Sequence, residues 1–571
     1  MHRISPLLPA LAAALLACAG PEGAAVAQPP AQEEHLAAFR QAQARSAAGE
    51  WAQAAPLWER VVETNPYGAF DWYELGRAHF NAGGYRASIP AFEQAVELGG
   101  RPHFAAFNLA RGHAELGETE AALRWLERAL QLGYRGRFQA QTDTFFRSLR
   151  ADPRFRRLTG VVDVSAFSRD EGWRYDVGVM VEEIERMHHR PWHKIPRERF
   201  VAAAEALRAD IPRLTDNQII MRMADLAGLV GDGHTGIPPQ AVPRWENRAL
   251  PLLFYLFPEG VYLTAADSAH ADLVGARVLR IGGRPVEQVV DSVGKVAGED
   301  NARGWLRKVA WQLRWPQVLN GLGFAATPEA LELAVRDRSG RERTVTVRAE
   351  PTPADFDRIT GRPGWIHAFQ AAPGPDPLYL KQWRTNYWFE HLPEHRMMYF
   401  QFNLVRDMPA EPFAAFVERL FRAVDSTGVR TLVIDMRWNN GGNTLLLPPL
   451  IDAIVRTPAI NRPGGLFVIA GRNTYSAAMN AATYLERSTA AIFVGEPTSS
   501  SPNYVGEDNF VMLPYSRVSV GASDLFWQAS WPFDRRTWIA PRLLAPPTWE
   551  AFRSKRDPAL EAILAYREPV S

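Results

Sequence analysis

The stretch "TLVIDMRWNNGGN", residues 431–443, is an apolar run that stops at Asp435 and then turns through two asparagines and two glycines. It reads as a short buried strand with a loop at its carboxyl end. The segment after the loop, "TLLLPPLIDAIVR", reads as a helix, and the pattern then repeats. "GGLFVIA" is a strand, "SAAMNAATYLER" a helix after a loop, and "AAIFVGE" another strand. Upstream, the strand "MMYFQFN" precedes the helix "PAEPFAAFVERLFRAVDS". Strands alternating with helices over residues 375–565 predict an α/β core, a parallel sheet covered by helices. Reactive groups in such sheets gather at the carboxyl ends of the strands.

Two loops fall at such ends. In the first, Gly441 and Gly442 let backbone amides come close to a ligand, as an oxyanion hole requires. In the second, "AGRNTYSAAMN", Ser476 stands where a helix begins, so its oxygen would lie at the positive end of the helix dipole. The Ala477 amide beside it is a further oxyanion donor. Taken alone, Ser476 reads equally as a plain helix N-cap.

Further upstream, "VGDGHTGIPP", residues 230–239, fits G-x-G-x-x-G through Gly231, Gly233 and Gly236. A dinucleotide loop follows a strand and opens a helix. Here a helical periodicity precedes it, with Ile220, Met223, Leu226 and Leu229 spaced by three, and Pro238-Pro239 follows. The fingerprint therefore fails on context and leaves His234 to be explained, either as a general base or as a hydrogen-bonded loop histidine.

Residues 165–245 read as helices, and residues 248–352 as strands around the turn Gly282-Gly283 in "VLRIGGRPV", with one helix and a later hairpin. That segment resembles a PDZ-like β module, which takes an extended chain end by strand addition. Residues 35–158 repeat with a period of 34: Leu75 and Leu109, Ala95 and Ala129, and Trp58, Phe92 and Leu126 are so spaced. This resembles an all-α solenoid of three tetratricopeptide-type repeats, closed by "LRADPRFRRLTG". Such an array holds a partner protein on its concave face or serves as a rigid spacer.

The chain has 571 residues, 64 Lys and Arg against 63 Asp and Glu, and a single cysteine. The near-neutral balance gives no footprint for nucleic acid. Residues 1–27 pair Arg3 with the apolar "LLPALAAALLA", a signal-peptide pattern too short to span a membrane. It ends either at Ala25-x-Ala27 or, in lipobox fashion, before Cys18, which would then carry a lipid. Both endings predict an extracytoplasmic protein, periplasmic or secreted, and neither leaves an internal disulfide.

The motifs "GDGHT", "RIGGRPV", "DMRWNNGGN", "NTYSAAMNAATYL" and "IFVGEPT" occur in this order. Together they resemble the carboxyl-terminal processing (tail-specific) protease family and its relatives, the tricorn core protease and the interphotoreceptor retinoid-binding protein repeats. The resemblance covers roughly residues 165–565. It implies a crotonase/ClpP-like core with an inserted PDZ-like module, and a serine-type peptidase with Ser476 as nucleophile. Tail-specific enzymes pair the serine with a lysine downstream, but no lysine lies between Lys381 and Lys555. Tricorn-like enzymes use a histidine from the helical segment, which falls on His234. The resemblance also implies an acidic residue that orients the imidazole; Asp534 is the first candidate and Glu507 the competitor. No cofactor is implied. His189 and His193 would share a helix face as a metal pair, but Pro191 separates them and no H-E-x-x-H is present.

The leading expectation is an exported peptidase that cleaves protein or peptide substrates through an acyl-enzyme, with the repeats recruiting substrate or partner. The alternatives are a non-catalytic binder of peptide or apolar ligand on the same fold, and an envelope scaffold acting through the repeats.

Overall fold

The computed structural model describes residues 30–160 and 162–567. The signal segment, with Cys18, Ala25 and Ala27, lies outside them. The chain divides into two compact units, residues 1–161 and 162–571.

In the first unit six helices, Pro30–Ala47, Trp51–Thr64, Ala69–Asn81, Tyr85–Leu98, Pro102–Glu115 and Thr119–Gln131, are joined by connections of three or four residues. The positions spaced by 34 are equivalent inside them: Trp58, Phe92 and Leu126 are all buried, as are Leu75 and Leu109. Each helix pair has an apolar face that only its neighbours can cover, so the period in sequence becomes stacking in space. Phe146, Leu149 and Phe155 join the core of the last pair and close the array. Asp152, which accepts from the Arg154 amide, caps the final helix, Pro153–Thr159.

The second unit opens with helices Arg169–Met187, Arg197–Asp210 and Asp216–Gly228. Capping boxes start the first and third: Ser168 with Glu171, and Thr215 with Gln218. An antiparallel sheet follows, in the order Leu252–Phe257, Gly260–Ala266, Arg277–Ile281, Ala330–Arg336, Glu342–Arg348. Helix Val286–Ala297 buries Val286, Val289, Val290 and Val293 against it.

The core sheet runs Tyr387–Leu392, Met397–Phe402, Thr431–Asp435, Leu466–Ala470, Ile492–Gly495 and Leu543–Leu544, in chain order. Only the first pair is antiparallel. Its strands read as continuous apolar runs because both faces are buried. Met398, Phe400, Leu432, Ile434 and Val468 face one core with helix Phe413–Thr427. Met397, Tyr399, Val433, Phe467 and Ile469 face the other, with Ile563 of the last helix.

One element was not legible in the sequence: a hairpin of strands Asn503–Met512 and Ser519–Gln528. Its pairing keeps one register from Asn503↔Gln528 to Met512↔Ser519, and Glu507 within it has φ +71°. Gly506, Glu507, Asp508 and Asn509 interrupt the apolar residues of the first strand, so its sequence carries no clear two-residue alternation.

Candidate active site

Strand Leu466–Ala470 delivers the chain to the turn before helix Ala477–Ser488. The Thr474 hydroxyl donates to the Met436 carbonyl at 3.1 Å and accepts from the Gly471 amide at 3.0 Å, so the two strand-end loops are tied together. The turn enters the helix through Ser476 at φ +55°, ψ −128°. A positive φ on a residue with a Cβ costs about 1–3 kcal/mol and persists only where surroundings enforce it. The Ser476 side chain makes no capping bond, so a plain N-cap role does not describe it. Its Oγ lies 3.3 Å from Nε2 of His234, 242 positions away in the chain.

Gly441 abuts the serine. A Cβ there would stand 2.6 Å from Ser476 Cβ, and the residue has φ +113°, so both space and conformation demand glycine. The expected oxyanion donors need one correction. The Gly441 amide donates to Asn439 Oδ1 at 3.0 Å and is already committed. Asn439 is buried and donates in turn to the Phe402 carbonyl at 2.9 Å, which fixes the loop. The Gly442 and Ala477 amides have no acceptor among the described residues. Gly442 lines the same cleft, of about 440 Å³, as His234 and Ser476. Ala477 is the first helical residue, where an amide is left over by the helix itself.

His234 sits on a loop held by buried polar groups. Asp232 accepts from the amides of His234 (3.0 Å) and Thr235 (2.7 Å), from Ser523 Oγ (2.6 Å) and from His188 Nε2 (2.8 Å). His188 Nδ1 accepts from the Arg190 amide at 2.9 Å, so the proton of the neutral ring is on Nε2, pointing at Asp232. Burial alone would raise the Asp232 pKa; the hydrogen bonds from His188, Ser523 and Thr235 hold it far below the carboxylate range. Gly236 and Gly521 exchange two backbone bonds, which join the loop to the hairpin. His188 thus has a structural partner, and helix Arg169–Met187 ends before it, so His189 and His193 do not share a helical face.

The group on His234 Nδ1 is Tyr475 Oη, at 2.6 Å, with the two rings stacked at 4.5 Å. Gly233 makes room for it: a Cβ there would meet that hydroxyl at 2.5 Å. The expected acid is therefore corrected. Asp534 binds Ser530 Oγ at 2.7 Å and Arg536 Nη2 at 2.7 Å, and the Arg536 bonds hold its pKa far down. Glu507 lines the cleft but is exposed and makes no hydrogen bond to His234. With Nδ1–H donated to the tyrosine oxygen, Nε2 is free to accept the serine proton. Burial pushes the His234 pKa down to about 3; Asp232 opposes this, while Lys308 and Arg307 add to it. The ring is neutral at physiological pH.

Three further residues escaped the sequence reading. Asp300 accepts from the Gly233 amide at 3.1 Å and from Ser500 Oγ at 2.6 Å, and burial, then the charges of Asp232 and Glu299, push its pKa up to about 7. Lys308 lines the cleft, but its ammonium donates to the carbonyls of Gly233, Ala297 and Gly298, which occupy its three protons. The Tyr504 ring stacks 6.0 Å from His234, and burial pushes the pKa of its hydroxyl, which interacts with the Ser476 side chain, well up.

No family model matches the chain, and no curated protein matches it. Among solved structures, mature CPAF complexed with lactacystin is similar with a TM-score of 0.50 at 13% identity, over 69% of this chain and 97% of that one. Mature CPAF alone gives 0.50 at 14%, over 69% and 96%. The photosystem II D1 C-terminal processing protease gives 0.33 at 13%, over 70% and 97%. The chain has the fold of CPAF over the 69% that is covered.

Proposed function

We propose that this chain is a serine peptidase in which Ser476 is the nucleophile and His234 the general base. One observation carries the reading: a serine held at φ +55° beside a histidine nitrogen 3.3 Å away, across 242 positions of chain. Strain of this kind gathers at reacting groups, and a serine activated by a base is the general form of nucleophilic catalysis. Nε2 takes the proton as Oγ bonds to the peptide carbonyl carbon. The amides of Gly442 and Ala477 hold the oxyanion. The imidazolium returns the proton to the leaving amine, and the acyl-enzyme forms. Water, deprotonated by Nε2, then attacks the ester and frees the acid and Ser476.

The substrates in this reading are proteins or peptides, and the repeats hold substrate or partner. Export, with or without a lipid on Cys18, belongs to the same proposal. In the PDZ-like reading of the module, strand addition would need a free edge on Leu252–Phe257. Arg314 and Arg472 already donate to the Leu252 and Leu256 carbonyls, at 2.7 and 2.6 Å. We therefore assign that module to shaping the cleft.

A second reading, a non-catalytic binder, is favoured by one fact: the partner of Nδ1 is a phenol and not a carboxylate. A fluorophosphonate probe, which acylates activated serines, separates the two. Wild type is expected to label, with Ser476→Ala and His234→Ala unlabelled. A folded wild type that stays unlabelled overturns the peptidase and leaves the binder.

A further inference from the structure

A second cavity, of about 140 Å³, adjoins the cleft; Arg307, Lys308, Trp311, Arg358 and Asn440 line both. Its walls are mostly aliphatic and aromatic, yet the polar groups among them are lopsided in charge. Glu299 meets Arg307 at 3.2 Å and Lys308 at 3.0 Å, Arg472 is paired with Glu496, and Arg437 with Asp435 and Asp557. Arg314 is different. It is 2% exposed and, among the described residues, donates only to the carbonyls of Leu252 and Leu250. Its guanidinium stacks on Phe356 at 4.0 Å and Trp311 at 4.8 Å, contacts that leave the charge unneutralised.

Among the described residues, three N–H donors at this place are buried without an acceptor: Arg314 Nη1, Trp311 Nε1 and Arg307 Nε. Native proteins leave few such groups unpaired, because each has given up water for nothing. A carboxylate supplies two oxygens with about four lone-pair directions and a negative charge, which meets both deficits together. Burial and the charge of Arg358 lower the Arg314 pKa to about 9, the direction expected of a cation lacking its counter-ion. A water occupies ~30 Å³ in the liquid, so the cavity has room for the last atoms of an acidic side chain.

We propose that this cavity is a carboxylate subsite, which takes the side chain of a glutamate or aspartate of a peptide whose backbone lies in the Ser476 cleft. The peptide in the cleft rests on the peptidase reading; the charge deficit does not.

The test uses the full chain carrying Ser476→Ala and fluorescent decapeptides, acetylated and amidated at their ends, with Glu or Gln scanned along the sequence. Anisotropy is expected to show at least tenfold tighter binding for Glu than for Gln at one position. That preference should fall below threefold when Arg358→Gln is added. Arg358 is exposed, so its variant should fold; Arg314→Gln is read beside it where its melting curve is cooperative. Equal binding of Glu and Gln peptides throughout, no binding at all, or a preference that survives Arg358→Gln overturns the subsite. A preference that appears only with a free peptide carboxyl terminus puts a main-chain carboxylate there and also overturns it. Fluorophosphonate labelling of wild type reports on the peptidase independently, so a chain that labels but shows no preference sinks the subsite alone.

Discussion

The loop that carries Ser476 and the loop that carries His234 place their side chains by different means. Ser476 is held by backbone: a parallel strand, a strained turn, the Gly441 contact and a helix start. His234 is held by side chains drawn from far along the chain, with His188 and Ser523 meeting at Asp232 and Tyr475 at the ring. The first kind of placement is rigid and tolerates no added atom near it. The second is a network whose members are worth more together than singly, and it loosens by degrees.

The sharpest break is expected at the backbone-held side. Gly441→Ala drives a Cβ into Ser476, and its fluorophosphonate labelling rate should fall by about 10²–10³-fold, the loss typical of a spoiled oxyanion site. A rate within threefold of wild type would mean the turn is softer than its geometry. Next comes Asp232→Asn. It unsettles four hydrogen bonds and should slow labelling by about 10²-fold through misplacement of His234 and lower stability by ~1–3 kcal/mol. Denaturant melts and labelling rates read the two effects, and unchanged values in both would dissolve the contrast between the loops.

Tyr475→Phe removes one neutral hydrogen bond, so about a fivefold loss, the equivalent of ~1 kcal/mol, is expected. Asp534→Asn serves as the unchanged lane; the reverse result would reinstate Asp534 as the orienting acid. The smallest effect is in pH. A base with a pKa of about 3 stays deprotonated through the physiological range. Labelling of Asp300→Asn, which lacks the carboxyl that titrates at about 7, should change by less than about twofold from pH 5 to 8. A tenfold drop towards pH 5 would assign His234 an ordinary imidazole pKa instead.

What the sequence disclosed follows the same division. The repeats recur every 34 residues, the core strands are unbroken apolar runs and the helices between them are spaced by loops, all of which is written locally. His234 was legible only because glycines flank it. Its partners were not, because they are long-range: Asp232 lies two residues away but takes its meaning from Ser523, and His188 meets Asp232 across 44 positions of chain. Tyr475 was overlooked beside the more conspicuous serine. Asp534 misled because its local satisfaction by Arg536, two residues on, outweighs its position in the chain order. The hairpin was hidden by the polar run at residues 506–509 of its first strand.

In the peptidase reading proposed above, the separation of 242 positions between Ser476 and His234 also sets when the chain can become reactive. Contacts so distant form late, after the loop-closure entropy between them has been met by the rest of the core. Both loops must be seated before a proton can pass, so a chain still unfolded has no nucleophile. Covalent reactivity at Ser476 is then a clock for the end of folding, and the unfinished chain is safe from itself.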